Sequence, residues 1–322
     1  MLRFRRWNIQ ACFRHFVRRE ESTLMQLLAG TSQGPLVIVH GGAPSQALGQ
    51  EIAVRAAKSL HSIAGACFGE LAGRSLCEVV VSGLRALESD PQFNAGLGAA
   101  IQSDGEIRVS ASVMDGVRQS FSAVINAQQV KQPSVMALAL QDRRSRVISH
   151  PGVQTLAIEL KLPREDLATA ERLEEWRRRS AVGGFDTVGC VARNSVGQLA
   201  AGTSTGGRSF EFPGRVSDCV TVAGNYASEV LAVSATGIGE EIVDDALAAR
   251  LETRCRDGMT LKVAAQRCFD EAVSRNRNYG WIALHRNGDW VAAHTTPSMS
   301  FCVRSETGIL ATSAPDTSTV AS

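Results

Sequence analysis

Long hydrophobic runs are missing from this sequence: no stretch of about eighteen or more apolar residues occurs, so no membrane-spanning helix is expected. Charge of one sign is also scarce. A net charge of +2 offers no polyanion-binding surface and argues against nucleic acid as a partner. The eight cysteines (Cys12, Cys67, Cys77, Cys190, Cys219, Cys255, Cys268, Cys302) form no C-x-x-C pair. Scattered thiols, several of them inside apolar runs, behave as small hydrophobes and fit a reducing cytosol better than a disulfide framework. A cytoplasmic protein is expected. No cluster of His, Cys and acidic residues has transition-metal spacing, and His285 and His294, which straddle a hairpin, read as core or edge residues. Metal-dependent hydrolysis is not indicated, no cofactor is expected, and no internal repeat of fixed period is present.

What is present is a chain of 322 residues, 44% apolar and 20% charged, the composition of a globular protein with ample length for a core. The first 35 residues differ from the rest. They carry Arg3, Arg5, Arg6, Arg14, Arg18 and Arg19 with no acid before Glu20, and lack the continuous apolar core of a secretory signal. Two readings stand side by side: an organellar transit peptide, or an extension outside a protein whose translation begins at Met25. Either way residues 1–35 are set aside, and a single folded domain is expected over 36–322.

Within it, Leu36-Val37-Ile38-Val39 reads as a buried strand running into His40-Gly41-Gly42-Ala43-Pro44. Ile52, Ala56, Leu60, Ile63, Cys67 and Leu71 recur at three- and four-residue steps, one apolar face of a helix. A second helix is predicted over 76–87, strands over 108–113 and 122–125, and helices over 134–140 and 153–160. Residues 163–179 are dense in charge and lead into Gly183-Gly184, which reads as a solvated helix or mobile linker, extending to about residue 186. Adjacent strands follow at 187–192 and 198–203, another at 230–235, helices at 240–251 and 261–273, and strands at 281–285 and 290–294 flanking the hairpin signal Asn287-Gly288. Sandwiched sheets covered by helices are the expected layering, an α/β (α+β) fold.

One threonine stands out by position. A hydroxyl needs a base to become a nucleophile, and a free α-amino group, with a pKa of about 7.7–8.0, can be that base. An N-terminal threonine therefore carries both groups, and an internal one acquires them only when the bond before it is cut. Thr187 opens a predicted strand directly after the linker and Gly183-Gly184, the arrangement such a cut requires. Taken singly, a threonine at a strand start is a structural residue far more often than a nucleophile.

The surrounding motifs decide between these readings. Asp186-Thr187-Val188-Gly189, Gly202-Thr203-Ser204-Thr205-Gly206-Gly207, Pro213-Gly214-Arg215-Val216-Ser217-Asp218 and Ala235-Thr236-Gly237-Ile238-Gly239-Glu240 resemble, in order, those of the isoaspartyl peptidase/L-asparaginase family of N-terminal-nucleophile hydrolases. Upstream, His40-Gly41-Gly42-Ala43, Phe93-Asn94-Ala95-Gly96-Leu97-Gly98 and Ala111-Ser112-Val113-Met114-Asp115-Gly116 resemble it too. The resemblance runs from about Leu36 to the end. It implies a four-layer αββα sandwich, self-cleavage between Asp186 and Thr187, and a dimer of processed αβ pairs acting on β-aspartyl dipeptides or L-asparagine.

Roles carry over by matching position. Thr187 matches the nucleophile and Thr205 the threonine that orients its hydroxyl. Asn94 and Thr236 match oxyanion donors, with Gly237 beside them. Arg215 matches the residue gripping the substrate α-carboxylate, Asp218 the acceptor of its α-ammonium, and Gly239 lines the same pocket. Without the resemblance, Arg215 and Asp218 would read as a surface ion pair and Asn94 as a turn residue. The resemblance also implies a structural sodium ion held by main-chain carbonyls of Leu87, Glu88, Asp90, Phe93, Ala95 and Leu97. The chain departs from the family pattern at Asp186, where many members have Gly, and at Ser217 and Cys219-Val220. Asp186 and the wording of 201–205 are shared with glycosylasparaginases and threonine aspartases, which makes a hydrolase of that type the alternative within the class. Outside it, an unprocessed, non-catalytic binding relative is the remaining reading.

Overall fold

The computed structural model describes residues 25–178 and 187–313. The elements run β1 (Gln26–Thr31), β2 (Leu36–Gly42), α1 (Gln50–Glu70), α2 (Leu76–Ser89), β3 (Val109–Asp115), β4 (Ser120–Ala127), α3 (Pro133–Ala139), β5 (Val147–Ile148), α4 (Gly152–Glu159) and α5 (Ala170–Arg178). They continue with β6 (Val188–Arg193), β7 (Leu199–Thr205), a 3-10 turn (Asp218–Val220), β8 (Asn225–Ala227), β9 (Leu231–Gly237), α6 (Gly239–Asp245), α7 (Leu247–Arg256), α8 (Leu261–Ser274), β10 (Tyr279–His285), β11 (Asp289–His294), β12 (Ser300–Ser305) and β13 (Gly308–Thr312).

The strands make two sheets, one ordered β13-β12-β2-β6-β7-β3-β4-β5 and one ordered β1-β11-β10-β9-β8. Period-two alternation sends successive side chains to opposite faces, and three apolar clusters record the result. Val37 and Val39 of β2 and Val188, Cys190 and Ala192 of β6 pack with α1 and α2 on one outer face. Leu231, Val233 and Ala235 of β9 and Trp281 of β10 pack with α7 and α8 on the other. Leu36, Ile38, Val191, Ala201, Ala232 and Ile282 meet between the sheets. The layers are helix, sheet, sheet, helix: the expected αββα sandwich. Each fully buried Leu, Ile or Val side chain in these clusters contributes about 1.5–3 kcal/mol.

The predicted elements differ from the observed ones at three informative places. The domain begins before residue 36: β1 pairs along its whole length with β11, from Gln26 opposite His294 to Thr31 opposite Asp289. Leu28 packs against the inter-sheet cluster, and the Trp290 indole fills the space that a side chain at Gly30 would need. The single helix predicted over 240–251 is two, because Ala246 takes a left-handed conformation with φ of 47°. The N–H groups of Ala248 and Ala249, freed from the preceding helix, go instead to the carbonyls of Ala223 and Val222.

The charged stretch from residue 163 is anchored rather than loose over its described part. Leu167 is buried in a cluster with Val153 and Leu156. In α5, Arg172 donates to the Gly98 carbonyl and pairs with Glu175 at 2.9 Å, the Ser209 hydroxyl donates to Glu175, and the Trp176 indole donates to the Gln102 carbonyl. Of the two readings, solvated helix or mobile linker, the described part is a helix, and its one buried face is itself charged but paired. Residues 179–186, the remainder of the expected linker, lie outside the described residues.

Strand β1 generates a stability expectation. A chain beginning at Pro35 should unfold roughly 5 °C below one beginning at Met25, the effect of about 1–2 kcal/mol of lost edge packing in a domain of this size. Equal thermal midpoints would show that β1 adds nothing.

Candidate active site

The alternation that builds the core also builds the site. Thr187 precedes β6 on the same face as Val191, and Thr205 closes β7 on the same face as Ala201, so both side chains point between the sheets. Thr236, near the end of β9, points at them from the opposite sheet. All three are buried, at 5%, 2% and 0% exposure. The Thr187 hydroxyl donates to Thr205 Oγ1 at 3.1 Å, and Thr236 Oγ1 donates to the Thr187 carbonyl at 2.9 Å. Thr205 Oγ1 also accepts the Gly207 N–H at 3.0 Å, which locks its rotamer and leaves Thr187 facing a fixed acceptor.

Asn94 belongs to the same neighbourhood but its contacts are with the turn after β7. Its Nδ2 donates to the Gly207 carbonyl at 2.7 Å, its Oδ1 accepts from Ala100 N at 2.9 Å, and its carbonyl accepts from Gly206 N. One of its two amide protons is thus committed to holding the turn, and the other is left to donate elsewhere. Thr236 is likewise committed to the Thr187 carbonyl in the uncut chain. Asp186, the other side of the expected cut, lies outside the described residues.

Three residues beyond Thr236 the chain reaches a second centre, within about 11 Å by contour length. Gly237, at φ of +123°, turns the chain out of β9, and Gly239 begins α6 between Arg215 and Asp218. A Cβ at Gly239 would sit 2.5 Å from Asp218 Oδ1 and 2.6 Å from Arg215 Nη2, so both side chains can close on the backbone here only because this residue has no side chain. Arg215 and Asp218 are not the surface ion pair their spacing suggests. Asp218 is buried, its Oδ1 accepts from the Ser217 hydroxyl at 3.1 Å, and its Oδ2 has no partner. An unpaired buried carboxylate oxygen is costly and marks a place for a donor. Arg215 is held by two other carboxylates: Nε and Nη2 donate to Glu240 at 2.8 and 3.0 Å, and Nη1 to Glu211 at 3.1 Å.

Glu211 was not singled out from the sequence, and nothing in its local pattern marks it. It accepts from Gln102 Nε2 and from Arg208 N as well as from Arg215, so it ties the Arg215 guanidinium to the turn that Asn94 supports. The loop 87–97 folds on itself beside this turn. The carbonyls of Leu87, Glu88 and Asp90 accept the N–H groups of Asp90, Leu97 and Phe93 respectively, each leaving one lone pair for a cation. Among the described residues no group of three or more His, Cys, Asp or Glu could hold a metal ion. The seven described cysteines are free and buried, and His294 Nδ1 donates to the Thr296 carbonyl of its own loop at 2.8 Å.

Comparison with known proteins adds an independent line. A protein family described as Asparaginase matches residues 33–313. The chain belongs to that family. It is 41% identical over 295 residues to the isoaspartyl peptidase/L-asparaginase of a Synechocystis species, covering 85% of this chain and 89% of the relative. It is 42% identical over 275 residues to the enzyme of the same description from a Nostoc species, covering 79% and 86%. The human isoaspartyl peptidase/L-asparaginase is 32% identical over 282 residues, covering 82% and 91%.

Within this asparaginase-family site the electrostatics are uneven. Burial pushes the Asp218 carboxyl up to about 6, with Arg215 beside it pulling the other way. The folded chain therefore holds this proton more tightly than the unfolded one does. Stability tied to Asp218 is full at low pH and is lost as pH rises from the ordinary aspartate range, about 3.9, to about 6. Asp218→Asn removes that loss. Its unfolding free energy should match the parent near pH 4 and exceed it at pH 7–8 by on the order of 1–3 kcal/mol. A constant difference across pH would mean that Asp218 ionises normally.

Proposed function

We propose that the chain cuts itself before Thr187 and then hydrolyses β-aspartyl dipeptides and L-asparagine. The observation carrying this reading is a buried threonine, Thr187, pinned at both hydroxyl and carbonyl, whose carbonyl partner Thr236 lies three residues by chain from Gly239, where an unpartnered carboxylate oxygen meets an arginine fork. Thr187 Oγ1 attacks the Asp186 carbonyl and the acyl group moves from nitrogen to oxygen. Water hydrolyses the ester, giving an α chain ending in the Asp186 carboxylate and a β chain beginning with the Thr187 amine. That amine takes the proton from the Thr187 hydroxyl as it attacks the substrate's β-carbonyl. Ammonia or the amino-acid leaving group departs with a proton, and water releases L-aspartate from the acyl-enzyme.

Thr205 orients the nucleophile. Thr236, once its hydroxyl turns from the Thr187 carbonyl, and Asn94 donate to the oxyanion, each such donor contributing roughly 3 kcal/mol in the transition state. Asp218 accepts the substrate ammonium and Arg215 binds its carboxylate with a planar fork suited to that task. Sodium in the 87–97 loop, held by the carbonyls of Leu87, Glu88, Asp90, Phe93, Ala95 and Leu97, would stiffen the backbone that carries Asn94. The working form in this reading is a cytoplasmic dimer of αβ pairs; the described residues contain no helix long and apolar enough to cross a membrane.

Two measurements test this. Intact-mass analysis over days should give two fragments dividing at Asp186–Thr187 for the parent and one chain for Thr187→Ala. Cleavage in the variant would refute the nucleophile, and a parent that stays whole and inactive would favour a binding relative. Assays on β-aspartyl dipeptide, L-asparagine and glycosylated asparagine then separate the substrate classes. The second measurement concerns Glu240, which is about half exposed (56%) and occupies the fork edge a substrate carboxylate needs. An exposed pair of this kind is worth up to about 1 kcal/mol, so Glu240→Ala should lower KM roughly two- to five-fold with kcat little changed. An increase in KM would instead make Glu240 part of the binding surface.

A further inference from the structure

Below the three threonines lies a second polar layer that neither the cut nor substrate binding explains. On the inter-sheet faces, Val191 of β6, Ala201 of β7, Ala232 of β9 and Ile38 of β2 are apolar core. One step toward the site, the corresponding positions are Gly189, Thr203, Ser234 and His40, with His40 opposite Gly189 and Gly189 opposite Thr203 in register. The next step is Thr187, Thr205 and Thr236. The intermediate layer is fully buried and wired together: His40 Nε2 lies 2.9 Å from Ser234 Oγ, which lies 2.7 Å from Thr203 Oγ1. It fits only around a glycine, since a Cβ at Gly189 would stand 2.0 Å from Ser234 Oγ and 2.3 Å from His40 Nε2.

Polar side chains placed where aliphatic ones would pack cost stability unless they are satisfied. Here one atom, His40 Nδ1, is buried without a hydrogen-bond partner of good geometry. The Thr187 main chain lies close enough to favour protonation of the ring, although burial dominates and pushes its pKa down to about 3. The ring is therefore neutral at working pH, a fixed dipole and not a proton carrier. A newly cut terminus frays unless something ties it down, and Thr187 becomes one.

We propose that His40, seated by Ser234 and Thr203, is a positioning residue that holds the Thr187 main chain so that its hydroxyl stays aimed, first at the Asp186 carbonyl and then at the substrate. This rests on Thr187 being the nucleophile. The role differs from those of Thr205 and Thr236, which touch Thr187 directly through its hydroxyl and its carbonyl.

The test uses the full chain with His40→Leu, His40→Asn, Ser234→Ala and Thr187→Ala, reading self-cleavage rate, kcat and KM of the processed fraction, and thermal midpoint. Misplacement of a reacting group by about 1 Å costs up to about 10²-fold in rate. His40→Leu should cleave at least about ten-fold more slowly and lose kcat with KM unchanged. His40→Asn keeps a polar atom at the δ position facing Thr187 and should recover much of the loss. A packing role alone would make Leu, nearer in volume, the better replacement. Ser234→Ala removes a single hydroxyl and frees the ring, so it reads the same proposal if His40→Leu fails to fold, and its cleavage should slow too. Parental rates in Ser234→Ala and in any folded His40 variant, or losses that follow the thermal midpoint with Asn no better than Leu, overturn the proposal. Thr187→Ala keeps the two readings apart: if it still cuts, the nucleophile assignment falls, whereas if it is inert while His40 variants are normal, only the positioning role falls.

Discussion

The site depends on a strand that has no free face. β6 lies in the middle of the larger sheet, with helices on one side and the second sheet on the other, so each of its residues is buried in one direction or the other. Alternation sends Val188, Cys190 and Ala192 into the helical layer, and that leaves Thr187 and Gly189 pointing into the space between the sheets. A hydroxyl on a loop would have many orientations. A hydroxyl at the mouth of such a strand has few, and β-branching narrows them further. The threonines of β7 and β9 meet it because those strands obey the same alternation.

Precision of this kind is gained at the expense of stability. Each polar residue between the sheets replaces an aliphatic side chain that would have packed more favourably, and Asp218 adds a carboxylate oxygen with no donor. Protein cores tolerate such defects when neighbouring contacts over-determine the geometry. Here the over-determination is visible: Asn94 makes two bonds to the turn after β7 and one to Ala100, Glu211 joins that turn to Arg215, and α5 is fastened to Ser209 just beyond it. The surroundings of Arg215 and Asp218 are held from several sides at once, which suits the directional contacts proposed for them.

Much of this was legible in the sequence, and the failures have physical causes. Strong periodicity identified α1 and both strands around Thr187, and the order of short motifs identified the family. The edge strand β1 was hidden because it sits beside a basic segment set aside as an extension, and a half-exposed edge strand has little apolar pattern. The break at Ala246 was hidden because a single left-handed alanine leaves no mark in an otherwise helical run. α5 was read as a solvated helix or a mobile linker because charge usually means solvation, and the pairing of Arg172 with Glu175 on its buried face is not visible in composition. The carboxylates flanking Arg215 were missed for a related reason: pairing across 4 and 25 residues is a tertiary fact. Motif position correctly brought Thr187, Thr205 and Thr236 together, and Gly239 between Arg215 and Asp218.

The strand order of the larger sheet has a consequence for what the proposed cut would produce. Strands from before Thr187 and strands from after it alternate through that sheet, with β2 lodged between β12 and β6, and β7 against β3; in the smaller sheet β1 edges β11. Neither fragment owns the larger sheet, and the smaller one takes its edge strand from the other piece. Cleavage therefore changes the covalent connectivity without creating two separable bodies, and each piece is the template on which the other keeps its shape. Folding of the intact chain is a unimolecular event, but reassembly of the cut protein, once unfolded, is a bimolecular one. In the proposed scheme the uncut chain is the form that folds readily at low concentration, and the cut form would inherit a structure that its two pieces would struggle to find again.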